Sequence, residues 1–301
     1  MSKRLEGKVS IVTGAGRGIG RAEAIALAQE DAYVVVNDLG GASDGSGTSK
    51  SAADEVVEEI KGLGGRAVAN YDSVATAQGG ENMVKTALDA FGRLDILVNN
   101  AGILRDKMVF NLTDDDWDAV MKVHLYGHFF TTRPACAIFR QQRSGRIINT
   151  SSPSGLGSTG QANYGAAKEG IVGLTRQVAR DMGKYGVTCN AIRPTAGTRL
   201  TLSDDMKKQW EAAGILDIAV KSIEAMRPED VAALVVWLAS DDAANVNGRT
   251  FSIATGKVAL YSEPIEEKML VGWNSVDDLF TLMPQTLAAG LVNPAPPQPP
   301  K

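Results

Sequence analysis

The chain has 301 residues, 44% of them hydrophobic, with 31 basic against 35 acidic residues and a formal net charge of −4. That length and apolar content allow one large buried core, and the near balance of charge excludes nucleic-acid binding as a bulk property. Two cysteines without Cys-x-x-Cys spacing, no charged-then-apolar leader behind Met1 and no apolar run of spanning length indicate a reduced, cytoplasmic protein without a membrane partner. The first element in chain order is the apolar strand Lys8-Val9-Ser10-Ile11-Val12-Thr13, which leads into Gly14-Ala15-Gly16-Arg17-Gly18-Ile19-Gly20 and an alanine-rich helical stretch to Glu30. Strand, glycine turn and helix in that order form a phosphate cradle. The glycines permit close backbone approach, and the helix N-terminus presents unpaired N–H groups to a pyrophosphate. Gly14, Arg17, Gly18, Ile19 and Gly20 are therefore candidate nucleotide-binding residues, the alternative being an ordinary strand-to-helix turn. The second strand, at 33–37, ends in Asp38, 18 residues beyond Gly20. A carboxylate there accepts hydrogen bonds from both adenosine ribose hydroxyls and repels the 2′-phosphate of NADP, which selects NAD. Arg17 argues the other way, because a guanidinium in the glycine loop could hold that phosphate; Asp38 carries more weight.

Further strands are expected near 66–70, 95–99, 145–151, 187–192 and 250–253, alternating with helical stretches and without internal repeats. Alternation of this kind predicts an α/β fold, a Rossmann-type doubly wound sheet of seven parallel strands, in which ligand sits outside the C-terminal strand ends. Gly14, Asp38, Asn99 and Ser151 all lie at such ends. Thr113 followed by Asp114, Asp115 and Asp116 reads as a capped helix start, so these acids need no catalytic role. Pro134 is expected to bend or end the helical stretch in which it lies. The domain is expected to cover residues 1–256, with 257–301 as an extension. Within the extension, Ser275 to Met283 reads as a short capped amphipathic helix that would cover a substrate cleft, pack on a neighbouring subunit or form an ordinary packed extension; Trp273 and Phe280 are apolar candidates for a lid, and the proline-rich end from Asn293 is expected to be extended or disordered.

Tyr164 and Lys168 are four residues apart in a helical pattern and face the same side. An ammonium beside a tyrosine hydroxyl favours the phenolate, which suits an acid or base in alcohol oxidation. His124 and His128 share the same spacing, but the chain has only 2 histidines and a zinc site would need distant cysteines or carboxylates to complete it, so no metal is expected.

Together these residues resemble the short-chain dehydrogenase/reductase family over roughly residues 5–255. Thr13, Gly14, Gly18 and Gly20 match its Thr-Gly-x-x-x-Gly-x-Gly pattern. Asn99-Asn100-Ala101-Gly102 matches its Asn-Asn-Ala-Gly element beside the cofactor ribose, and Tyr164 with Lys168 matches its catalytic pair. Ser151, 13 residues before Tyr164, stands at the family's serine position, and Asn190 to Pro194 followed by Thr198 resembles the segment that closes over the nicotinamide. A narrower resemblance, in Val36 to Gly41, Ala69 to Val74 and Asn100 to Asp106, is to the dehydrogenase part of the peroxisomal multifunctional enzyme of β-oxidation, which oxidises (3R)-hydroxyacyl-CoA with NAD; the Pro-Pro-Lys end is not a peroxisomal address.

The resemblance implies Ser151, Tyr164 and Lys168 as catalytic residues. His124 occupies the position of an asparagine found in many members, and is either a proton relay or a core histidine satisfied by backbone. It implies cofactor contacts from Asp72 and Ser73 on the adenine side, from Asn99, Ala101 and Gly102, from Lys168 and Tyr164 at the nicotinamide ribose, and from Pro194 and Thr198 at the carboxamide. It also implies a small-molecule substrate, which an acyl-CoA, a steroid or other secondary alcohol, or a carrier-protein thioester would satisfy, and a homotetramer or homodimer. A non-catalytic nucleotide-sensing regulator is the alternative of another class; such a protein would be expected to lose Tyr164 or Lys168.

Overall fold

The computed structural model describes residues 3–197, 211, 214 and 216–295. The chain forms two compact units, Met1–Tyr261 and Ser262–Lys301. In the first, one sheet runs through β1 (Val9–Thr13), β2 (Tyr33–Asn37), β3 (Arg66–Asn70), β4 (Ile96–Asn99), β5 (Gly145–Thr150), β6 (Val187–Pro194), β7 (Thr250–Ala254) and β8 (Lys257–Leu260). Their spatial order is β3-β2-β1-β4-β5-β6-β7-β8. The first seven strands are parallel. The eighth is antiparallel and goes beyond the seven strands expected, pairing Ala254 with Lys257 across a turn in which Gly256 has φ +71°. All four β8 residues are exposed, so no alternation of polar and apolar residues marked it as a strand. It begins at Lys257, the first residue of the expected extension, and lies within the first unit.

Period-two alternation divides the strand side chains between two cores. Val12, Val34, Val36, Val98, Ile148 and Ile192 pack on one face with α1 (Gly18–Gln29), α2 (Ser51–Gly62) and the helix Pro228–Ala239. Val9, Ile11, Val35, Leu97, Ile147 and Cys189 pack on the other with α3 (Ala77–Phe91), the helix Gly127–Gln142 and α6 (Ala162–Gly183). Each fully buried valine, leucine or isoleucine contributes about 1.5–3 kcal/mol relative to exposure. The chain winds outward from β1 to β3 and then returns to set β4 beside β1. A crevice therefore opens at the C-terminal ends of β1 and β4, where the order reverses.

α4 (Asp114–Met121) starts in a capping box between Thr113 and Asp116, as expected. It continues through a π-helical turn at Lys122–Tyr126 into α5 (Gly127–Gln142). Pro134 does not end α5. It withholds the N–H that would pair with Phe130 O, and that carbonyl instead faces Gly80 of α3, where a Cβ would lie 2.1 Å from the oxygen. The helix Leu216–Glu224 is α7, and Pro228–Ala239 is α8. In the second unit, α9 (Val276–Leu282) begins in a capping box between Ser275 and Asp278, while Trp273, Val276 and Phe280 are exposed.

Candidate active site

The crevice is a cleft of about 690 Å³ walled by Gly14, Arg17, Gly18, Ile19, Gly20, Asp38, Asp72, Ser73, Ala101 and Gly102, all expected from the sequence. β1 delivers the chain to Gly14, whose φ of +64° and approach to Ala101 Cα, 2.7 Å from where a Cβ would stand, exclude a side chain. A Cβ on Gly20 would lie 2.4 Å from Gly14 O, so the first turn of α1 closes directly onto the glycine turn. Arg17 precedes that helix in extended geometry without a side-chain cap, which leaves the N-terminal N–H groups of α1 available to an anion. The Arg17 side chain is exposed at the rim.

Asp38 is held in place by main chain: Oδ2 accepts from Gly16 N at 2.8 Å and Oδ1 from Gly40 N at 2.6 Å. Those bonds fix the carboxylate at the end of β2 and still leave lone pairs for ribose hydroxyls. Asp72 accepts from Asn70 Nδ2 and Asn82 Nδ2, both at 2.8 Å. At the end of β4, Thr13 Oγ1 accepts from Asn100 N at 3.0 Å and Ala101 N at 3.1 Å, which draws the 100–102 segment onto the glycine turn. A cradle lacking side chains, a helix N-terminus and a carboxylate at this spacing fit a dinucleotide.

Asn99 is absent from that wall. It is buried, donating to Thr132 Oγ1 (3.1 Å) and Asn149 Oδ1 (2.9 Å) and accepting from Thr131 Oγ1 (2.6 Å), so it ties β4 to β5 and α5. Asn100, of the same motif, lines the cleft, together with Leu39, Val74 and Ile103 from the segments of the narrower resemblance, none of them singled out as a site residue, and Val123, which no motif had marked. Pro194 ends β6 outside the wall, Gly197 lines it, and Thr198 lies outside the described residues.

On α6, Lys168 Nζ lies 5.4 Å from the Tyr164 ring centroid and donates to Thr150 O at 2.6 Å. Burial pushes the Lys168 ammonium down to about 7. It also pushes the Tyr164 phenol up to about 12, helped by the Asp106 charge and opposed by the Ser152 hydroxyl. From the sequence, Lys168 is expected to lower the phenol; here burial acts in the opposite direction, and the Lys168 amine lies over the ring and is bonded to Thr150 O. A charge brought close to the pair would shift both.

Ser151, expected to hold the substrate oxygen, is buried and donates to Lys168 O at 2.7 Å. The serine that meets the Tyr164 phenol is Ser152. Neighbouring residues leaving a strand point to opposite sides, so counting residues back from Tyr164 could not decide which of two adjacent serines meets the phenol. His124 Nε2 lies 2.8 Å from Ile103 O and 3.1 Å from Ile103 N, and its ring meets Tyr164 edge-on at 5.1 Å and 88°. Its Nε2 is thus held by backbone, while the buried Nδ1 has no hydrogen-bond partner among the described residues, which leaves both sequence readings of His124 open. Burial and the Lys168 charge hold the ring's pKa well below the usual imidazole value. His128 turns Nδ1 onto His124 O at 2.6 Å, and burial pushes its pKa down to about 3.

Comparison with known proteins agrees with this geometry. The short chain dehydrogenase family matches residues 8–211. The chain is 48% identical over 257 residues to the mouse (Mus musculus) peroxisomal multifunctional enzyme type 2, covering 84% of this chain but 32% of that protein. It is 43% identical over 273 residues to a hydroxyacyl-CoA dehydrogenase of Mycobacterium tuberculosis, covering 88% of this chain and 82% of that one. A crystal structure of a short chain dehydrogenase from Mycobacterium avium superposes with a TM-score of 0.80 at 42% identity, covering 98% of both chains. No helix among the described residues is long and apolar enough to cross a membrane. Family match, sheet topology and cleft chemistry agree: the chain belongs to the short-chain dehydrogenase/reductase family and is an oxidoreductase of that family, whose members use NAD(P).

Proposed function

We propose that the protein is an NAD-dependent dehydrogenase interconverting a secondary alcohol and a ketone, with (3R)-hydroxyacyl-CoA oxidised to 3-oxoacyl-CoA as its reaction. The observation that carries the choice of NAD is the Asp38 carboxylate, fixed at the end of β2 by Gly16 N and Gly40 N, where a 2′-phosphate would meet negative charge. Support for the acyl-CoA substrate comes from the relatives named multifunctional enzyme and hydroxyacyl-CoA dehydrogenase, at 48% and 43% identity. A second reading, reduction of a 3-oxoacyl carrier protein, is supported by 41% identity over 256 residues to a 3-oxoacyl-[acyl-carrier-protein] reductase of Synechocystis. Asp38 counts against it if that reaction draws on NADPH.

In this mechanism Gly14 to Gly20 and the α1 N-terminus bind the pyrophosphate, Asp38 the adenosine ribose, Asp72 and Ser73 the adenine side, and Lys168 the nicotinamide ribose. The bound nicotinamide supplies the hydride acceptor. Ser152 would donate to the substrate oxygen, and Tyr164, as the phenolate that the positive charge of an oxidised nicotinamide beside it would favour, would remove the hydroxyl proton, acting as the acid in the reverse direction. Ser151 and Thr150 position Lys168 through its carbonyl oxygen and Nζ. His124 packs on Tyr164 and fixes the 100–103 segment by its bond to Ile103. The enzyme acts as a homo-oligomer.

The test is absorbance of NADH formed from (3R)-hydroxyacyl-CoA thioesters, beside NADP, free secondary alcohols and steroids. Turnover of the thioester with NAD is the expected result. Activity confined to free alcohols overturns the acyl-CoA assignment, and a preference for NADP overturns the role of Asp38.

A further inference from the structure

Residues 40–49 form a loop that no catalytic or phosphate-binding step accounts for, although Gly41, Ala42 and Gly45 wall the nucleotide cleft. Its base is closed by Ser49 N donating to Leu39 O (3.0 Å), and its tip by Ala42 N donating to Ser46 O (2.7 Å). The outer side is fastened across the cleft to the segment after β4. Leu104 N donates to Ser43 O at 2.9 Å, Arg105 Nε donates to Asp44 O at 3.0 Å, and a Cβ on Gly45 would stand 3.1 Å from Ile103 Cδ1.

Arg105 is the hub of this fastening. Its guanidinium also reaches Asp115 O at the start of α4 (3.3 Å), and its own carbonyl accepts from Asn163 Nδ2 at 3.1 Å. Asn163 is fully buried, and its Oδ1 accepts from Tyr164 N at 2.8 Å. One residue thus connects the loop beside the nucleotide cleft to the helix turn that carries the reacting phenol. Its one bond to the loop, Nε to Asp44 O, comes from an ionised donor, the stronger class of hydrogen bond, while the neighbouring bond to Ser43 O comes from the Leu104 main chain.

We infer that Arg105 is a positioning residue of the nucleotide site: it straps the 40–49 loop across the cleft and so sets how fast the nucleotide leaves. This rests on the dinucleotide reading of the cleft and deepens it: the loop walls the cleft, and moving it outward would break the bonds from Leu104 N to Ser43 O and from Arg105 Nε to Asp44 O. Loop release of this kind governs turnover in enzymes whose product leaves slowly.

The test measures NADH binding to the full chain by nucleotide fluorescence, with stopped-flow dissociation and hydrogen exchange of residues 40–49. Arg105→Ala is expected to raise the dissociation rate about tenfold, the size of one lost charge-assisted hydrogen bond, and to speed exchange in 40–49. Gly45→Val is the second variant, acting from the loop side without touching Arg105; a side chain at φ +88° against Ile103 pushes the loop outward, and dissociation is expected to quicken in the same way. Where Arg105→Ala fails to fold, Gly45→Val decides. Dissociation within about twofold of wild type in the folded variants overturns the strap while leaving the nucleotide site intact. Wild-type protein that binds neither NADH nor NADPH overturns both the strap and the dinucleotide reading.

Discussion

Glu23 on α1 is fully buried, both its carboxyl oxygens lack a hydrogen-bond partner among the described residues, and burial pushes its pKa from 4.5 up to about 8. The fold therefore holds the neutral acid, whereas the unfolded chain ionises from about pH 4.5 upward. The stability tied to this group is fully present below that pH and is lost as pH rises through about 8, because unfolding then releases a proton. At about 1.4 kcal/mol per unit, the loss between about pH 5 and pH 7.5 is roughly 3 kcal/mol, a large share of a typical total. Glu23→Gln keeps the shape and cannot ionise. Urea denaturation of both proteins across that range should show the variant gaining on wild type by roughly 3 kcal/mol as pH rises, whatever fixed offset the buried amide introduces. A difference that stays flat with pH would refute the reasoning, since Glu23 would then be ionised or paired in the folded protein.

Three further outcomes are expected. Ser152→Ala should lower kcat/KM about 100-fold with nucleotide binding unchanged, whereas Ser151→Ala should act mainly by loosening Lys168, at about 1 kcal/mol of stability; steady-state kinetics and urea midpoints separate the two, and the reverse ranking would return Ser151 to the reacting position. Asp38→Ala should raise kcat/KM with NADP relative to NAD by about tenfold or more, read from paired kinetics, and an unchanged ratio would remove Asp38 from coenzyme selection. Gly102→Ala would put a Cβ 2.5 Å from His124 Cε1. It should cost about 1–3 kcal/mol and displace the ring from Tyr164, so that an unchanged urea midpoint together with unchanged kcat would show that the contact yields freely.

Signals that are local in the chain were legible from residue order alone. Seven strands, the glycine cradle and Asp38 are each written within a few consecutive residues, because strand alternation, turn chemistry and helix capping act over that range. Thr113 and Ser275 capped their helices for the same reason. What the tertiary structure decided depends on which neighbours a residue meets. Ser151 and Ser152 have the same chemistry, and only the packing of β5 against α6 turns one to Lys168 O and the other to the phenol. Asn99 carries a motif asparagine's credentials, yet Thr131, Thr132 and Asn149 enclose it beneath the cleft. Pro134 stays within its helix because Gly80, 54 residues earlier, leaves room for the carbonyl it frees. The ionisation of Tyr164 and Lys168 follows from burial, a property of the assembled core that four-residue spacing does not contain.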